Sequence, residues 1–306
     1  MYARQTEQFR DSCGIPPRHT FFYPIEQYNE QLLAVIAELC AETGCETEIH
    51  LHHNSDTAEN LRKTLARGKS ELARHQLLSV DEAGQIVFGF IHGNWALANC
   101  DPRGINCGVA NEISVLQKAG CYADFTMPSA PHPTQPKTIN SIYYSGIEST
   151  APLDEVHPCA VNSPGGEGLL MVQGPLGLNW RWRKWGILPR IENGSLSAKN
   201  PPTITRMNLW RKLNIRVSGC DEWVFIKLHT HGAIPSNRKM LLGNPMSEFH
   251  KALEAQTRTE TSPQLHYASA REMVNMIHAA EDGMTGNPGD FRNYRYHSIM
   301  HSPSTT

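Results

Sequence analysis

Three histidines and an aspartate fall within nine residues from Glu48 to Asp56, E-I-H-L-H-H-N-S-D, directly after an apolar, strand-like run. Imidazole and carboxylate are the donors that zinc and other divalent transition ions take. An ion with three protein ligands and one open position lowers the pKa of a bound water. Side chains alternate along a strand, so His50 and His52 share one face while His53 points the other way or opens the loop. His229 and His231 in I-K-L-H-T-H repeat the arrangement. Two H-x-H pairs turned toward one cavity would make a metal cradle. A single buried histidine is more often a hydrogen-bonded core residue than a ligand, so the clustering carries more weight than any member. Asp56 has two readings, as a ligand or as the N-cap of the next helix, the latter worth about 1 kcal/mol. His75, in A-R-H-Q-L-L near a helix end, reads as a charge against the helix dipole.

These residues need elements to hold them, and the sequence supplies apolar runs alternating with helical periodicity, the pattern of a parallel α/β sheet. H-T-F-F-Y-P at 19–24 is the first strand. Ile25, Tyr28, Leu32, Ile36 and Leu39 follow at helical spacing, with Gly44 as the stop. Glu46 to His52 is the second strand, and Asp56 with Glu59 forms a capping box for a helix carrying Leu61, Leu65 and Leu72. Ile86 to Ile91, a helix over 111–119 and Tyr122 to Met127 continue the alternation. From about 145 to 217 the periodicity dissolves into Pro, Gly, Asn and Trp, which predicts an irregular insertion. Trp223 to His231 and Leu265 to Ala268 read as further strands, with helices over 247–255 and from Ser269 to Gly283. The polar residues at strand ends are then His50, His52 and His53; His92 and Asn94; Asp124; and His229 and His231. In parallel α/β folds that rim is where active sites lie.

Composition bounds the partners. Lys and Arg total 28 against 30 Asp and Glu, for a formal charge of −2, so no general attraction to nucleic acid or anionic membrane is expected. A small or neutral molecule is the expected partner. No run has the length of a membrane span and the first residues have no signal-peptide segment, so a cytoplasmic location is expected. Eight cysteines without C-x-x-C spacing read as reduced, mostly buried thiols. N-W-R-W-R-K-W at 179–185 interleaves aromatics with cations, suited to stacking sugar rings or bases and equally to forming a hairpin with one packed face. P-S-A-P-H-P-T-Q-P at 128–136 is a stiff connection that would wall the rim.

The order of these pieces resembles the NodB-like polysaccharide deacetylases, metal-dependent carbohydrate esterases built on a distorted (β/α)7 barrel. H-T-F-F-Y-P, Gly44 and E-I-H-L-H-H-N-S-D follow in the family's order, with His52 at its first motif histidine and Asp56 at its second. F-I-H-G-N-W at 90–95 is similar in position to the strand end that lines the family's groove. A-G-C-Y-A-D-F-T at 119–126 resembles its Gly-x-x-Tyr-Asp segment. I-K-L-H-T-H resembles the late strand whose histidine assists the leaving group.

The resemblance implies one α/β barrel domain over 1–296, with the insertion at about 145–217 and a disordered tail at 297–306. It implies a divalent ion, zinc, on His50, His52 and Asp56; His229 or His231 protonating the departing group; and His92, Asn94, Trp95 and Asp124 lining the substrate groove. The activity implied is removal of an acyl group from a carbohydrate. An amidohydrolase-like barrel, or an inactive barrel that binds glycan, are the alternatives. The family's Asp-Asp strand, which supplies the base, has no counterpart among the 19 residues before Thr20, so the chain is expected to be shortened at its N-terminus, lacking the first strand, or to use another base.

Overall fold

A computed structural model describes residues 1–146, 153, 155–163, 165–166, 168–257 and 262–301. A short helix α1 (Tyr2–Thr6) precedes β1 (Thr20–Pro24) and a 3-10 turn at Ile25–Gln27. Then come α2 (Glu30–Thr43), β2 (Glu46–Leu51), α3 (Ala58–Arg74), β3 (Ser79–Val80), β4 (Ile86–His92), α4 (Glu112–Lys118) and β5 (Cys121–Asp124). Next are β6 (Ile142–Ser145), β7 (Glu155–Pro158), β8 (Leu170–Val172), β9 (Gly177–Lys184) and β10 (Leu188–Glu192). The chain finishes with α5 (Ile204–Lys212), α6 (Pro235–Leu241), α7 (Asn244–Gln256), α8 (Ala270–Glu281) and β11 (His297–Ser298).

Nine of these strands form one mixed sheet with the path β1-β2-β4-β5-β8-β6-β7, and β3 and β11 attach beside β4. Neighbours from β1 through β8 are parallel, whereas β6 runs antiparallel to β8, and β7, antiparallel to β6, returns to the common direction. The expected α/β class holds. Among the described residues β1 pairs only with β2 and β7 only with β6, so no barrel closure is detected.

Strand alternation sorts the core into two layers. Ile49, Leu51, Phe88 and Phe90 face α2, α3 and α4 through Leu33, Leu61, Leu65 and Leu116. Val87, Tyr122 and Val172 face the opposite way, toward Val274 and Ile277 of α8. On that second face β2 presents carboxylates. Glu46 accepts from Arg271 Nε at 2.9 Å and Ser269 Oγ at 2.5 Å, at the start of α8. Glu48 accepts from the Gly89 amide at 2.5 Å and from the Tyr122 hydroxyl. Burial pushes the Glu48 carboxyl up to about 8 despite those donors.

Several local expectations hold for the stated reasons. Gly44 ends α2 with φ 68, in the left-handed region that favours glycine. Ser269 and Glu272 close a full capping box at α8. All eight cysteines are free thiols, five of them buried.

Other expectations fail. The buried face of α2 is Leu33 and Cys40, while Leu32 is half-exposed, because the 3-10 turn ahead of α2 shifts the helical phase by one residue. The described residues of 145–217 are not irregular throughout: they contribute β7, β8, a hairpin of β9 and β10, and α5. Three apolar residues between Gly-rich and Pro-rich stretches carry no visible period, yet Leu170–Val172 is a buried central strand. Trp223 to His231 is no ladder strand; it carries only an isolated bridge of His229 to Ser195. Leu265 to Ala268 forms no strand either. The Ser12 amide donates to Leu265 O at 2.9 Å, the Leu265 amide to Ser12 Oγ at 3.0 Å and the Tyr267 amide to Asp11 Oδ2 at 2.9 Å, so other groups satisfy that backbone. Within the expected disordered tail, His297–Ser298 pairs with β3 and Ile299 and Met300 pack on the core. Residues 302–306 lie outside the described residues.

Candidate metal centre

Parallel register places the predicted residues on one edge of the sheet. Pro24 lies opposite His50, Leu51 opposite His92, and Phe90 opposite Asp124. All are at the C-terminal ends of their strands, as the rim argument requires. Alternation then divides the histidines between the two faces. His50 and His52 share the face of Glu46 and Glu48; His53 and His92 lie on the face of α3 and α4.

The first set is open to solvent. His50 Nε2 stands 3.3 Å from His52 Nε2, with the rings perpendicular and their centroids 4.5 Å apart. His52 Nδ1 is 2.6 Å from Glu26 Oε1, which the 3-10 turn after β1 brings over. The His50 ring also hydrogen-bonds the Ile91 backbone. Burial first, and then the charge of His52, lower the His50 pKa to about 4, so this imidazole is neutral at pH 7. Glu26 Oε2 is buried without a hydrogen-bond partner. Gly93 follows β4 because a Cβ there would collide with the His52 ring.

The second set is closed. His53 lies between two carboxylates, with Nδ1 at 3.1 Å from Asp56 Oδ2 and Nε2 at 3.0 Å from Glu112 Oε1. Burial opposes a charge on His53, but Glu112 and Asp56 outweigh it and raise its pKa. Glu112 Oε2 accepts from the Ala98 amide at 2.7 Å and from Cys107 Sγ at 3.3 Å, with His92 Nε2 3.9 Å away. Burial pushes Glu112 up, but His92 and His53 together bring it below the ordinary range.

Ligand-capable atoms of His53, His92, Cys107 and Glu112 all lie within 4.8 Å of one another, a candidate buried metal-binding group. The imidazole, thiol and carboxylate donors suit zinc. Their hydrogen bonds also describe a metal-free network. The Asn94 amide donates to His92 Nδ1 at 3.2 Å, which leaves the ring proton on Nε2. That nitrogen is fully buried and without a partner.

The other predicted residues take different places. Asp56 does not reach His52: Oδ2 faces His53, and Oδ1 accepts from the Thr57 amide and Asn60 Nδ2, both at 2.7 Å. The N-cap of α3 is Thr57, whose side chain accepts from the Asn60 amide, so the Asp56–Glu59 capping box does not form. His92 and Asn94 are turned away from His50. Asn94 Nδ2 donates to His53 O at 3.0 Å and Asn106 O at 3.4 Å. Trp95 packs against His132 of the Pro-rich loop, centroids 5.4 Å apart.

Asp124 is buried, and its two oxygens accept from Thr126 at 2.9 and 2.7 Å. Burial pushes the Asp124 carboxyl up and the Lys227 amine down from their ordinary values. The Lys227 ammonium donates to Phe125 O at 2.5 Å and to Met127 O. His231 is exposed and near enough to His50 to depress it electrostatically. His229 sits behind it. Burial and Lys227 push His229 down to about 3, so its imidazole is neutral at pH 7.

Four site residues escape a reading of the sequence. Glu26 follows β1 by two positions, and extending the search for polar strand ends to β1 would have found it. Glu112 carries only the signal of an acid in a first helical turn, which the helix dipole already explains. Cys107 gives no signal. Lys227 shares parity with His229 and His231 inside an apolar run, the mark of a cation carried inward. No family model matches the chain, and no curated protein or solved structure matches it.

Proposed function

We propose that the chain is a metal-dependent hydrolase whose ion is held by His50 and His52 at the open rim, with Glu26 orienting His52. One observation carries this reading: two imidazole Nε2 atoms face each other at 3.3 Å. Two nitrogens each about 2.0–2.1 Å from a tetrahedral zinc stand about 3.3–3.4 Å apart. The outer nitrogen of His52 meets a carboxylate and the His50 ring meets a backbone group, the arrangement that turns bare Nε2 lone pairs inward. A divalent ion supplies Lewis acidity at that point. Glu26, with one buried oxygen unpaired, is the carboxylate that would take a proton there. His231, at the mouth, replaces His229 as the group that assists the leaving atom.

The resemblance to NodB-like deacetylases supports an acylated carbohydrate as substrate and a distorted barrel as the larger architecture. A second reading, favoured by four donors within 4.8 Å, places the ion in the closed group instead. Elemental analysis separates the two. About one zinc per chain, lost in His50→Ala and His52→Ala but kept in Cys107→Ala, is expected. Release of acetate from an acetylated chitooligosaccharide should disappear with the zinc. Retention of zinc in His52→Ala, with loss in Cys107→Ala, would overturn the open-rim assignment.

A further inference from the structure

We infer that the β9–β10 hairpin is a membrane-interface arm that sets its tip into an anionic lipid surface. The hairpin is a separate two-stranded sheet outside the nine-stranded core. Its three-residue tip is the most exposed apolar point of the arm, with Trp185 76 % and Ile187 74 % exposed. Leu178, Trp180, Leu188 and Ile191 are about half exposed along its strands. Exposure that peaks at a turn describes a wedge entering a surface, whereas a protein groove would take a flat face.

Trp185 holds φ 54, in the left-handed region where glycine or asparagine would be easier. Arg181, Arg183, Lys184 and Arg190 provide four cations, and no carboxylate occurs from 177 to 191. The Arg190 guanidinium lies 4.5 Å from the Trp182 ring and Arg183 Nε donates to Trp180 O at 3.0 Å. Glu192, next in sequence, is buried against Arg206 at 2.7 Å and does not neutralise the arm. The chain's charge of −2 therefore conceals a strongly basic projection.

Tryptophan, aliphatic side chains and arginine together match the headgroup boundary of a bilayer: rings and alkyl groups enter the upper acyl region while guanidinium groups stay at the phosphates. A glycan would stack on the indoles but gain nothing from Ile187 and Leu188.

The full chain is to be sedimented with vesicles of about one part phosphatidylglycerol to three parts phosphatidylcholine, and with phosphatidylcholine alone. Binding is expected to the anionic vesicles only, falling at least about tenfold between roughly 0.05 and 0.5 M salt. The Trp185→Ser/Ile187→Ser double variant should lose it at least about tenfold with an unchanged urea midpoint. Arg181→Gln and Arg183→Gln should each weaken it about fivefold. Equal binding to neutral vesicles, no binding at low salt, or unaltered binding by the double variant would overturn the inference. So would a concentration-dependent dimer abolished by that variant, which makes the arm a contact between copies. Blocking by a soluble chitooligosaccharide would make it a glycan platform instead.

Discussion

His52 and His53 are adjacent in sequence and live in opposite chemistry. One face of the rim holds His50, His52 and Glu26, partly exposed, with two nitrogens opposed and one carboxylate oxygen unpaired. The other holds His53 between Asp56 and Glu112, buried and paired on both nitrogens. A one-residue step along β2 decides which environment an imidazole enters. The closed face pairs His53 with Asp56 and Glu112 at hydrogen-bond distance, and His92 Nε2 is the buried nitrogen there that lacks a partner. The open face leaves its electrostatics unfinished, which a stable fold tolerates only where water, a proton or an ion completes them.

The sharpest way to break this contrast is to remove one histidine from each face. His53→Ala leaves two buried carboxylates facing each other, and a loss of about 3–5 kcal/mol in urea unfolding is expected. His52→Ala should cost under about 1 kcal/mol while abolishing zinc retention. Comparable losses from both would show that the faces do not differ in kind.

Gly93→Ala tests the open face without touching a donor atom. The new methyl must displace the His52 ring, so zinc should be lost at a stability cost of about 1–2 kcal/mol. A variant that keeps its zinc would mean the ring position does not matter.

The pH profile of stability sharpens the comparison further. His53 is raised above its ordinary 6.5 in the fold, so its contribution is complete below 6.5 and is lost as pH climbs through the raised value. Glu112 is held below its ordinary 4.5, so its contribution is complete above 4.5 and disappears as pH falls through the depressed value. Urea midpoints should therefore be highest between these limits and decline on both sides. His52→Ala should follow the same curve as the unaltered protein. A flat profile would contradict the ion-paired network.

The smallest effect is expected from Asn94→Ala. It removes bonds to His53 O and Asn106 O, worth about 1 kcal/mol in a thermal melt, and should leave zinc content untouched.

What the sequence discloses follows physical range. The β2 alternation that separates His50 and His52 from His53 is local, and the sheet reproduces it. The convergence of β1, β2, β4 and β5 at one edge also follows from the βαβ pattern. Glu112 was hidden because its role depends on a carboxylate arriving from α4 beneath strands made about 60 residues earlier, a distance no periodicity encodes. Asp56 misleads for a related reason. Its spacing suits a ligand or a cap, but Thr57 takes the cap and His53 takes the carboxylate. Lys227 and His229 sit on a segment whose backbone looks like a strand and pairs at a single bridge, because α/β alternation cannot say which run the sheet will accept.

The insertion of β8 between β5 and β6 has a consequence for how the chain can be cut. β5, already paired with β4, finds its second neighbour only at Leu170 and Met171, although β6 is made first. A fragment ending near residue 146 would carry an uncovered ladder edge beside Asp124, a template for self-association in place of a smaller version of the fold. Useful truncations must therefore keep the polypeptide through Val172.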